Sequence, residues 1–292
     1  MKITLTGSLG NISKPLAKKL IGAGHQVTLI SSNGSKIDAI KALGATPAIG
    51  SVNDVEFVAE AFSGADVVYT MVPDNHGAAN YREYIAGIGH VYAEAIKISG
   101  VKRVVNLSSI GAHLPSGTGP IAGLHDVENT FAGLDGVAVK HLRAAYFYFN
   151  FYGNVDMIKN AGIIGSNYSA DTKIVLVHPN DIADAAAEEL QQDITGKSIR
   201  YVSSDERTAG SVAKILGSAI GKPGLPWVEF SDEEEYNGLV QAGLPEEIAS
   251  VYTEMGASTR SGKLYEHYFA NRPAQLGKTK LEDFAVEFAK TF

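Results

Sequence analysis

The stretch Lys2-Ile3-Thr4-Leu5-Thr6-Gly7-Ser8-Leu9-Gly10-Asn11-Ile12-Ser13 decides the fold of this chain. Lys2–Thr6 is predicted to be a buried strand, and the apolar spacing over Lys14–Ala23 predicts a helix. At such a junction, the free N–H groups and the dipole of the helix attract an anion. Glycines allow a tight turn and close approach of a pyrophosphate. We therefore expect the turn to bind a dinucleotide. The alternative is that the turn has no ligand and only caps the helix. The predicted cofactor contacts are Gly7, Ser8, Leu9, Gly10, Asn11 and Ile12.

Strand-like and helix-like segments alternate after this turn. The predicted strands are Gln26–Ile30, Pro47–Ile49, Ala65–Met71 and Lys102–Leu107, and the predicted helices are Ile37–Leu43, Val55–Phe62 and Asn80–Ile98. Short connections between them imply right-handed crossovers and a parallel sheet covered on both faces. The expected fold class is α/β, a doubly wound parallel-sheet Rossmann fold with a smaller, mainly helical C-terminal lobe.

The pattern loosens beyond residue 110. We predict a loop over Ile110–Gly123, followed by helix at His125–Leu134 and Tyr146–Asn160. Further strands are predicted at Val137–Leu142, Thr172–Val177 and Ser198–Val202, and further helices at Asn180–Gln192, Ala209–Gly221, Glu233–Ala242, Pro245–Ser258 and Leu281–Phe292. We divide the chain into a Rossmann NAD(P)-binding domain at 1–150, to whose sheet later segments return, and a mixed segment at 151–292 that includes the substrate-side lobe.

The ends of the next strands indicate which nucleotide binds. A carboxylate after the second strand would bond the adenosine ribose and favour NAD. This chain has Ser31, Ser32 and Asn33 there, so nothing repels a 2′-phosphate. We expect NADP(H) to be preferred, with NAD(H) as the alternative. Further cofactor contacts are predicted on the rule that ligands bind at the carboxyl ends of strands; they are Val52, Asn53, Met71, Val72 and Pro73.

Composition excludes several classes of protein. The net charge is −7, which argues against nucleic acid and anionic membranes as main partners. The absence of cysteine excludes disulfides, thiolate catalysis and zinc–thiolate sites. The histidines show no metal-binding spacing, so no metal site is expected. The chain starts directly in a strand-like run, so we expect no signal peptide and a cytoplasmic location.

Several motifs resemble one known family. They are T-G-S-L-G-N-I-S at the start, G-S-V-N-D at 50–54, V-N-L-S-S-I-G-A at 105–112, His125, L-R-A-A-Y-F-Y-F-N at 142–150 and V-H-P-N-D-I-A-D-A-A-A at 177–187. Their order is similar to that of NmrA-like proteins, an atypical branch of the short-chain dehydrogenase/reductase superfamily that includes NADPH-dependent quinone oxidoreductases. The resemblance implies an NAD(P)-binding Rossmann domain and a smaller lobe that helps to close a substrate cleft.

The resemblance does not extend to the catalytic pair of ordinary superfamily members. Those enzymes use Tyr-x-x-x-Lys, whereas Gly111–Leu134 contains neither tyrosine nor lysine. His125 occupies the place of the lysine, or of a histidine in the quinone reductase relatives. His125 is the first catalytic candidate, and it would hydrogen-bond to the nicotinamide ribose or relay a proton. The alternative is that it is a helix residue whose side chain only bonds to a nearby backbone group. Ser108, at the end of the fifth strand, is the second candidate, and both are also predicted to contact cofactor.

The aromatic run from Tyr146 to Tyr152 is predicted to serve packing, and one of its faces is predicted to line an apolar pocket for a flat substrate. The predicted substrate contacts are Ile110, Tyr146, Phe147 and Asn150.

Three functions remain open at the level of sequence. The first is an NAD(P)H-dependent oxidoreductase that transfers hydride to a quinone or a similar small apolar acceptor. The alternative is a non-catalytic NAD(P)-sensing regulatory protein that binds a protein partner. An epimerase or dehydratase is weaker, because those reactions also depend on the Tyr–Lys pair. A homodimer is a further open possibility.

Overall fold

The computed structural model describes all 292 residues. Its strands are β1 (Lys2–Leu5), β2 (Gln26–Ser31), β3 (Thr46–Ile49), β4 (Val67–Thr70), β5 (Arg103–Ser109), β6 (Ala138–Ala144), β7 (Tyr146–Phe147), β8 (Ile164–Ser166), β9 (Lys173–Val177), β10 (Lys197–Val202), β11 (Asp205–Thr208) and β12 (Trp227–Glu229).

Its helices are α1 (Ser13–Gly22), α2 (Ile37–Ala42), α3 (Val55–Phe62), α4 (Tyr81–Ser99), α5 (Ile121–Ala132), α6 (Val155–Ala161), α7 (Pro179–Gln191), α8 (Ala209–Ala219), α9 (Asp232–Gln241), α10 (Glu246–Arg260), α11 (Lys263–Ala270) and α12 (Leu281–Phe288). Short 3-10 helices lie at Gly34–Lys36, Tyr148–Asn154 and Ala289–Thr291. None of the helices combines the length and the apolar character needed to cross a bilayer.

The central sheet has seven strands in the order β10-β6-β5-β4-β1-β2-β3. Every neighbouring pair is parallel. The chain runs outward from β1 to β3 and then returns to β4 on the other side of β1. This reversal opens a crevice above the carboxyl ends of β1 and β4, the place where ligands bind in doubly wound sheets. The predicted Rossmann fold class is therefore confirmed.

Each face of the sheet carries its own apolar core. Alternate residues of β1, such as Ile3 and Leu5, face a large cluster that includes α1 and α7. Val68 of β4 and Val104 of β5 face a second cluster, formed with α3, α4 and α5. Each fully buried Leu, Ile or Val contributes about 1.5–3 kcal/mol to folding. Burial on both faces explains why these strands are continuously apolar in sequence.

The residues that cap α3 and α4 lie in loops at the carboxyl edge of the sheet. Asn80 caps α4 and accepts from the Glu83 N–H at 3.0 Å. At α3, the sequence left open whether Asn53 caps the helix, and the structure assigns the cap to Asp54, which accepts from the Glu56 and Phe57 N–H groups at 3.0 and 3.2 Å. Asn53 itself is exposed and its amide donates to the Ser51 hydroxyl at 3.2 Å.

The smaller lobe contains α8–α12 and two small sheets, β11-β9-β7 and β12-β8. The helical prediction for Tyr146–Asn160 is wrong at its start, because Tyr146 and Phe147 pair with Leu176 and Val177 of β9. A 3-10 turn follows before α6 begins. The sequence also missed β8, β11, β12 and α11. Strands this short acquire their pairing from the rest of the lobe, so they carry no periodic signal of their own.

Candidate functional site

The turn between β1 and α1 has a backbone that few residues tolerate. Gly7 has φ +89° and Ser8 has φ +54°, both in the left-handed region. A Cβ on Gly7 would collide with the Ser13 hydroxyl and the Met71 thioether, and one on Gly10 would lie 2.9 Å from the Gly7 carbonyl oxygen. Both glycines are therefore required by the shape of the turn, and they leave the backbone open to a ligand.

Backbone donors of the turn point to an anion. The N–H groups of Leu9, Asn11 and Ile12 donate to no acceptor in the protein. No acidic residue lies in the first turn of α1, and no side chain caps it. Free donors together with the positive end of the helix dipole form an anion site. The geometry fits the pyrophosphate of a dinucleotide.

Hydrogen bonds to neighbouring elements hold the glycine turn in place. The Thr6 hydroxyl accepts from the Met71 N–H at 2.8 Å. The Ser13 hydroxyl donates to the Thr6 carbonyl at 2.7 Å, and Tyr92 donates to the Met71 carbonyl at 2.8 Å. Because these bonds join β1, α1, β4 and α4, the turn keeps its shape without a ligand.

The end of β2 is joined to the turn by two hydrogen bonds, of which the first runs from the Ser8 N–H to the Ile30 carbonyl at 3.1 Å. Ser8 Oγ donates to Ser31 Oγ at 2.9 Å, and Ser31 is buried. Ser32 and Asn33 are exposed beyond it, and Asn33 accepts from the Ser35 N–H at 2.9 Å. The predicted polar residues therefore lie together beside the turn, although the Ser31 hydroxyl is already engaged.

The remaining predicted cofactor contacts fall on two neighbouring loops. Met71 contacts Gly7, as described above, and Val72 and Pro73 continue from it, half-buried. The Pro73 carbonyl accepts from Tyr84 at 2.9 Å, which holds this loop against α4. Val52 is half-buried against the second core, in the loop after β3.

Ser108 lies inside the protein. Its hydroxyl donates to Glu128 Oε1 at 2.6 Å and the residue is 3% exposed. Arg143 donates to both oxygens of Glu128, at 3.0 and 2.6 Å. Burial favours the neutral acid, but Arg143 outweighs it and holds the pKa of Glu128 below its ordinary value. The Ser108 hydroxyl is therefore engaged by this buried ion pair, and its contact with a ligand stays a prediction.

His125 is half-buried on α5, and both of its ring nitrogens are engaged. Nδ1 donates to the Ala112 carbonyl at 2.9 Å, and Nε2 accepts from the Asn129 amide at 2.8 Å. The ring thus ties the loop after β5 to α5. A ligand that used Nε2 would have to replace Asn129.

The four predicted substrate contacts meet above β5 and β6. Ile110 is buried, and its N–H donates to the Ala144 carbonyl at 2.9 Å. Tyr146 and Phe147 are half-buried, and the Tyr146 ring packs 5.5 Å from that of Phe151. Asn150 is exposed. An aromatic wall with a polar rim therefore stands at the carboxyl edge of the sheet.

Two features of this region were missed from the sequence. The first is the Glu128–Arg143 pair, which no local spacing could reveal. The second is Glu235 of α9, which accepts from the Ser166 hydroxyl at 3.2 Å. The acidic run 232–235 was interpreted only as a helix start. No group of three or more histidine or carboxylate side chains is placed to hold a metal ion.

Comparison with known proteins agrees with the turn geometry. Residues 7–143 match the family model described as NAD(P)H-binding. This segment is similar to the NAD(P)H-binding family. It contains the glycine turn, the ends of β2 and β4, and His125. A comparison with curated protein sequences gave no match.

Solved structures match nearly the whole chain. The NADPH-dependent quinone oxidoreductase of Escherichia coli, complexed with NADPH, has a TM-score of 0.83 at 21% identity, covering 98% of this chain and 99% of its own. The triphenylmethane reductase of Citrobacter sp., complexed with NADP(H), has a TM-score of 0.78 at 22% identity, covering 98% and 99%. A nucleoside-diphosphate-sugar epimerase from Staphylococcus aureus has a TM-score of 0.79 at 17% identity, covering 98% and 100%.

These likenesses show that the smaller lobe, as well as the NAD(P)H-binding segment, has the same fold as these enzymes. The fold that the motifs implied, a Rossmann domain with a smaller lobe, is confirmed by these likenesses.

Proposed function

We propose that the protein is an NAD(P)H-dependent oxidoreductase that transfers hydride to a quinone or a similar small apolar acceptor. The observation that carries this proposal is the set of free N–H donors in the glycine turn, together with an aromatic wall at the same edge of the sheet. The glycine turn would bind the pyrophosphate, and the aromatic wall would bind a flat acceptor. Hydride transfer needs both the donor and the acceptor to be held in place.

The residues that would hold the cofactor follow the crevice. Leu9, Asn11 and Ile12 would donate to the pyrophosphate. Residues Ser32 and Asn33 would receive the adenosine ribose, with Val52 and Asn53 beside the adenine. Met71, Val72 and Pro73 would lie along the cofactor toward the nicotinamide. His125 remains a candidate contact to the nicotinamide ribose, whose hydroxyl would take the place of Asn129 at Nε2.

A preference for NADP(H) over NAD(H) is part of the proposal. No carboxylate lies between Ser31 and Ile37, and Lys36 is the nearest cation. A ribose 2′-phosphate would therefore meet hydroxyl, amide and ammonium groups, whereas NAD would lack the carboxylate that usually bonds its ribose.

The absence of a Tyr–Lys pair fits a quinone better than a simple ketone. When bound, NAD(P)H supplies the hydride. A reduced quinone anion is already stable, so the chain has to supply less acid assistance than it would for an alkoxide. Its own main tasks are then to align the acceptor and exclude water.

The test is a titration followed by a turnover assay. We expect NADPH to bind more tightly than NADH in a fluorescence titration, and the purified protein to oxidise NADPH only when a quinone is added. Ser32→Asp supplies the missing carboxylate and should weaken NADPH relative to NADH. Ser63→Asp, at an exposed position before β4 and at the opposite edge of the sheet, is the matched control. NADPH binding without turnover across a quinone panel would contradict the enzymatic proposal and favour the sensing protein.

A further inference from the structure

A cavity of about 500 Å³ lies between the loop after β5 and the helices α10 and α11. Most of the residues that line it are polar, which distinguishes it from the aromatic wall. Its polar side chains come from the loop, from α10 and from the corner between α10 and α11; they are Ser116, Glu254, Ser258, Ser261 and Lys263. The cavity is therefore suited to a polar group of a ligand.

The loop after β5 joins this cavity to the predicted acceptor contacts. Ile110 is buried at the start of the loop, and Leu114 borders the cavity further along it. Between them, Gly111 lies directly against α11, because a Cβ at Gly111 would collide with Leu264. Leu264 follows Lys263 in the chain. The cavity is thus next to the place where the acceptor ring is proposed to lie.

Lys263 brings an unpaired cation to the cavity. Arg260, at the end of α10, is paired with Asp232 at 2.7 Å. The ammonium group of Lys263 has no such partner, and the residue is exposed. Lys263 is also the first residue of α11, a helix of eight residues that no side chain caps. Its charge and the positive end of the helix dipole therefore act together on an anion.

Ser258 is a buried polar group at the same cavity. The residue is 5% exposed, and its hydroxyl has no hydrogen-bond partner in the protein. Its carbonyl, by contrast, accepts from the Ser261 hydroxyl at 2.9 Å. Buried hydroxyls are usually hydrogen-bonded, because an unbonded one loses its contacts with water and gains nothing in return. An acceptor atom of a ligand would supply the missing partner.

Glu254 limits the charge that the cavity accepts. Its carboxylate accepts from the Gly119 N–H at 3.1 Å and forms no ion pair. A group with one negative charge would gain from Lys263 and suffer little from Glu254, whereas a doubly charged phosphate would be repelled twice as strongly. A carboxylate also accepts several hydrogen bonds from hydroxyl and ammonium groups. The lining therefore fits a carboxylate best.

We propose that this cavity binds a carboxylate group of the acceptor, with Lys263 as its cation and Ser258 as a hydrogen-bond donor. The inference rests on the function proposed above and narrows it to a quinone, or a related flat ring, that carries a short acidic side chain. The ring would lie at the aromatic wall and the carboxylate in the cavity. Lys263 and Ser258 would thus determine specificity and take no part in the hydride transfer itself.

The test compares two quinones that differ only in the charge of one side chain, 1,4-benzoquinone-2-acetate and its methyl ester. We expect kcat/KM of the wild type to be about tenfold higher for the acid than for the ester, because only the acid makes a charge-assisted hydrogen bond to Lys263. Added salt should reduce this preference, since the ammonium group is exposed.

Two variants assign the preference to the cavity. Lys263→Gln removes the charge and keeps most of the length of the side chain, so the preference for the acid should disappear. Lys214→Gln, at an exposed position on α8 that does not border the cavity, is the matched control and should keep the wild-type preference. Ser258→Ala should reduce the preference about threefold through the loss of one hydrogen bond.

Calorimetry tests the same site without turnover. The ligands are 2,5-dihydroxyphenylacetate, which is the reduced form of the acid, and its methyl ester. The acid should bind more tightly than the ester to wild type and to Lys214→Gln, and this difference should be lost in Lys263→Gln. The comparison of acid and ester on the wild-type protein needs no variant, so it decides even if a variant fails to fold.

The outcomes separate the two proposals. If wild type binds the acid more tightly than the ester but reduces neither quinone, the cavity binds carboxylates and the proposed hydride transfer fails. If wild type reduces both quinones with equal kcat/KM, or if Lys263→Gln keeps the wild-type preference, the carboxylate site is overturned and the proposed function stands. Equal affinities of wild type for the acid and the ester in calorimetry would overturn the carboxylate site as well.

Discussion

Gly7 shows how strongly the turn after β1 constrains a single residue. Its φ of +89° excludes ordinary side chains, and the space beside it is filled by Ser13 and Met71. The same packing keeps the turn in shape for the pyrophosphate. Strain and crowding at this position are therefore linked to the proposed function.

Gly7→Ala should lose NADPH binding and destabilise the fold by about 1–3 kcal/mol, because the new Cβ displaces Ser13 and Met71. Urea unfolding and a fluorescence titration measure the two effects. Gly22→Ala is the control, since a Cβ there meets nothing within 4 Å and its φ is not positive. Unchanged NADPH affinity in Gly7→Ala would show that the turn does not hold the nucleotide.

His141 is a second residue with a measurable signature. It is buried on β6, and its Nδ1 accepts from the Asn106 amide at 3.1 Å. Burial lowers its pKa from 6.5 to about 4. Helix α5 covers this face of the sheet, with Phe131 packed 6.2 Å from the His141 ring.

The pH dependence follows from that lowered pKa. Below pH 6.5, the unfolded chain binds a proton at His141 that the folded chain refuses until about pH 4. Stability should therefore fall as pH drops through this window, by about 3 kcal/mol in total. In His141→Gln this contribution disappears. The difference between the free energies of unfolding of variant and wild type, measured in urea, isolates the contribution of His141, because the other groups titrate alike in both proteins. If this difference stays constant between pH 6.5 and about pH 4, the lowered pKa of His141 is refuted.

At the scale of elements, α10 closes the smaller lobe onto the Rossmann part. Glu247 accepts from the Tyr81 N–H at the start of α4, at 2.9 Å. Tyr252 bonds to His76 in the loop after β4, at 3.2 Å. Glu254 accepts from the Gly119 N–H at 3.1 Å. Two loops at the carboxyl edge, the one between β4 and α4 and the one between β5 and α5, are therefore tied to one helix.

Gly119→Ala tests this docking. Gly119 has φ +58°, and a Cβ would collide with the Val251 carbonyl of α10. Gly117→Ala is the matched control, because it has φ +75° but open space around it. Both variants place an alanine at a positive φ and are destabilised by that. Only Gly119→Ala should be destabilised by a further amount of about 1–3 kcal/mol, and only this variant should have a raised KM for the acceptor. Equal effects in urea unfolding and steady-state kinetics would mean that α10 adjusts freely.

At the scale of the whole molecule, the proposed cofactor bridges strands that come from distant parts of the chain. Binding to the folded state alone stabilises it by about 2.7 kcal/mol at a free concentration ~100-fold above Kd. Thermal unfolding should therefore shift upward with NADPH and less with NADH. Gly7→Ala should abolish the shift, whereas Gly22→Ala should retain it. A shift of equal size in Gly7→Ala would place the nucleotide elsewhere.

The sequence by itself determined the Rossmann fold class and the nucleotide turn, because both depend on local signals: strand and helix periods, and glycines at one strand–helix junction. It also predicted that one face of the aromatic run Tyr146–Tyr152 lines a substrate pocket, and this stays a prediction. The tertiary structure decided which polar groups face one another. The Ser108 hydroxyl donates to Glu128, Asp54 caps α3, and Glu235 accepts from Ser166. Such pairings join residues far apart in the chain, so burial and long-range packing settle them and no local spacing can.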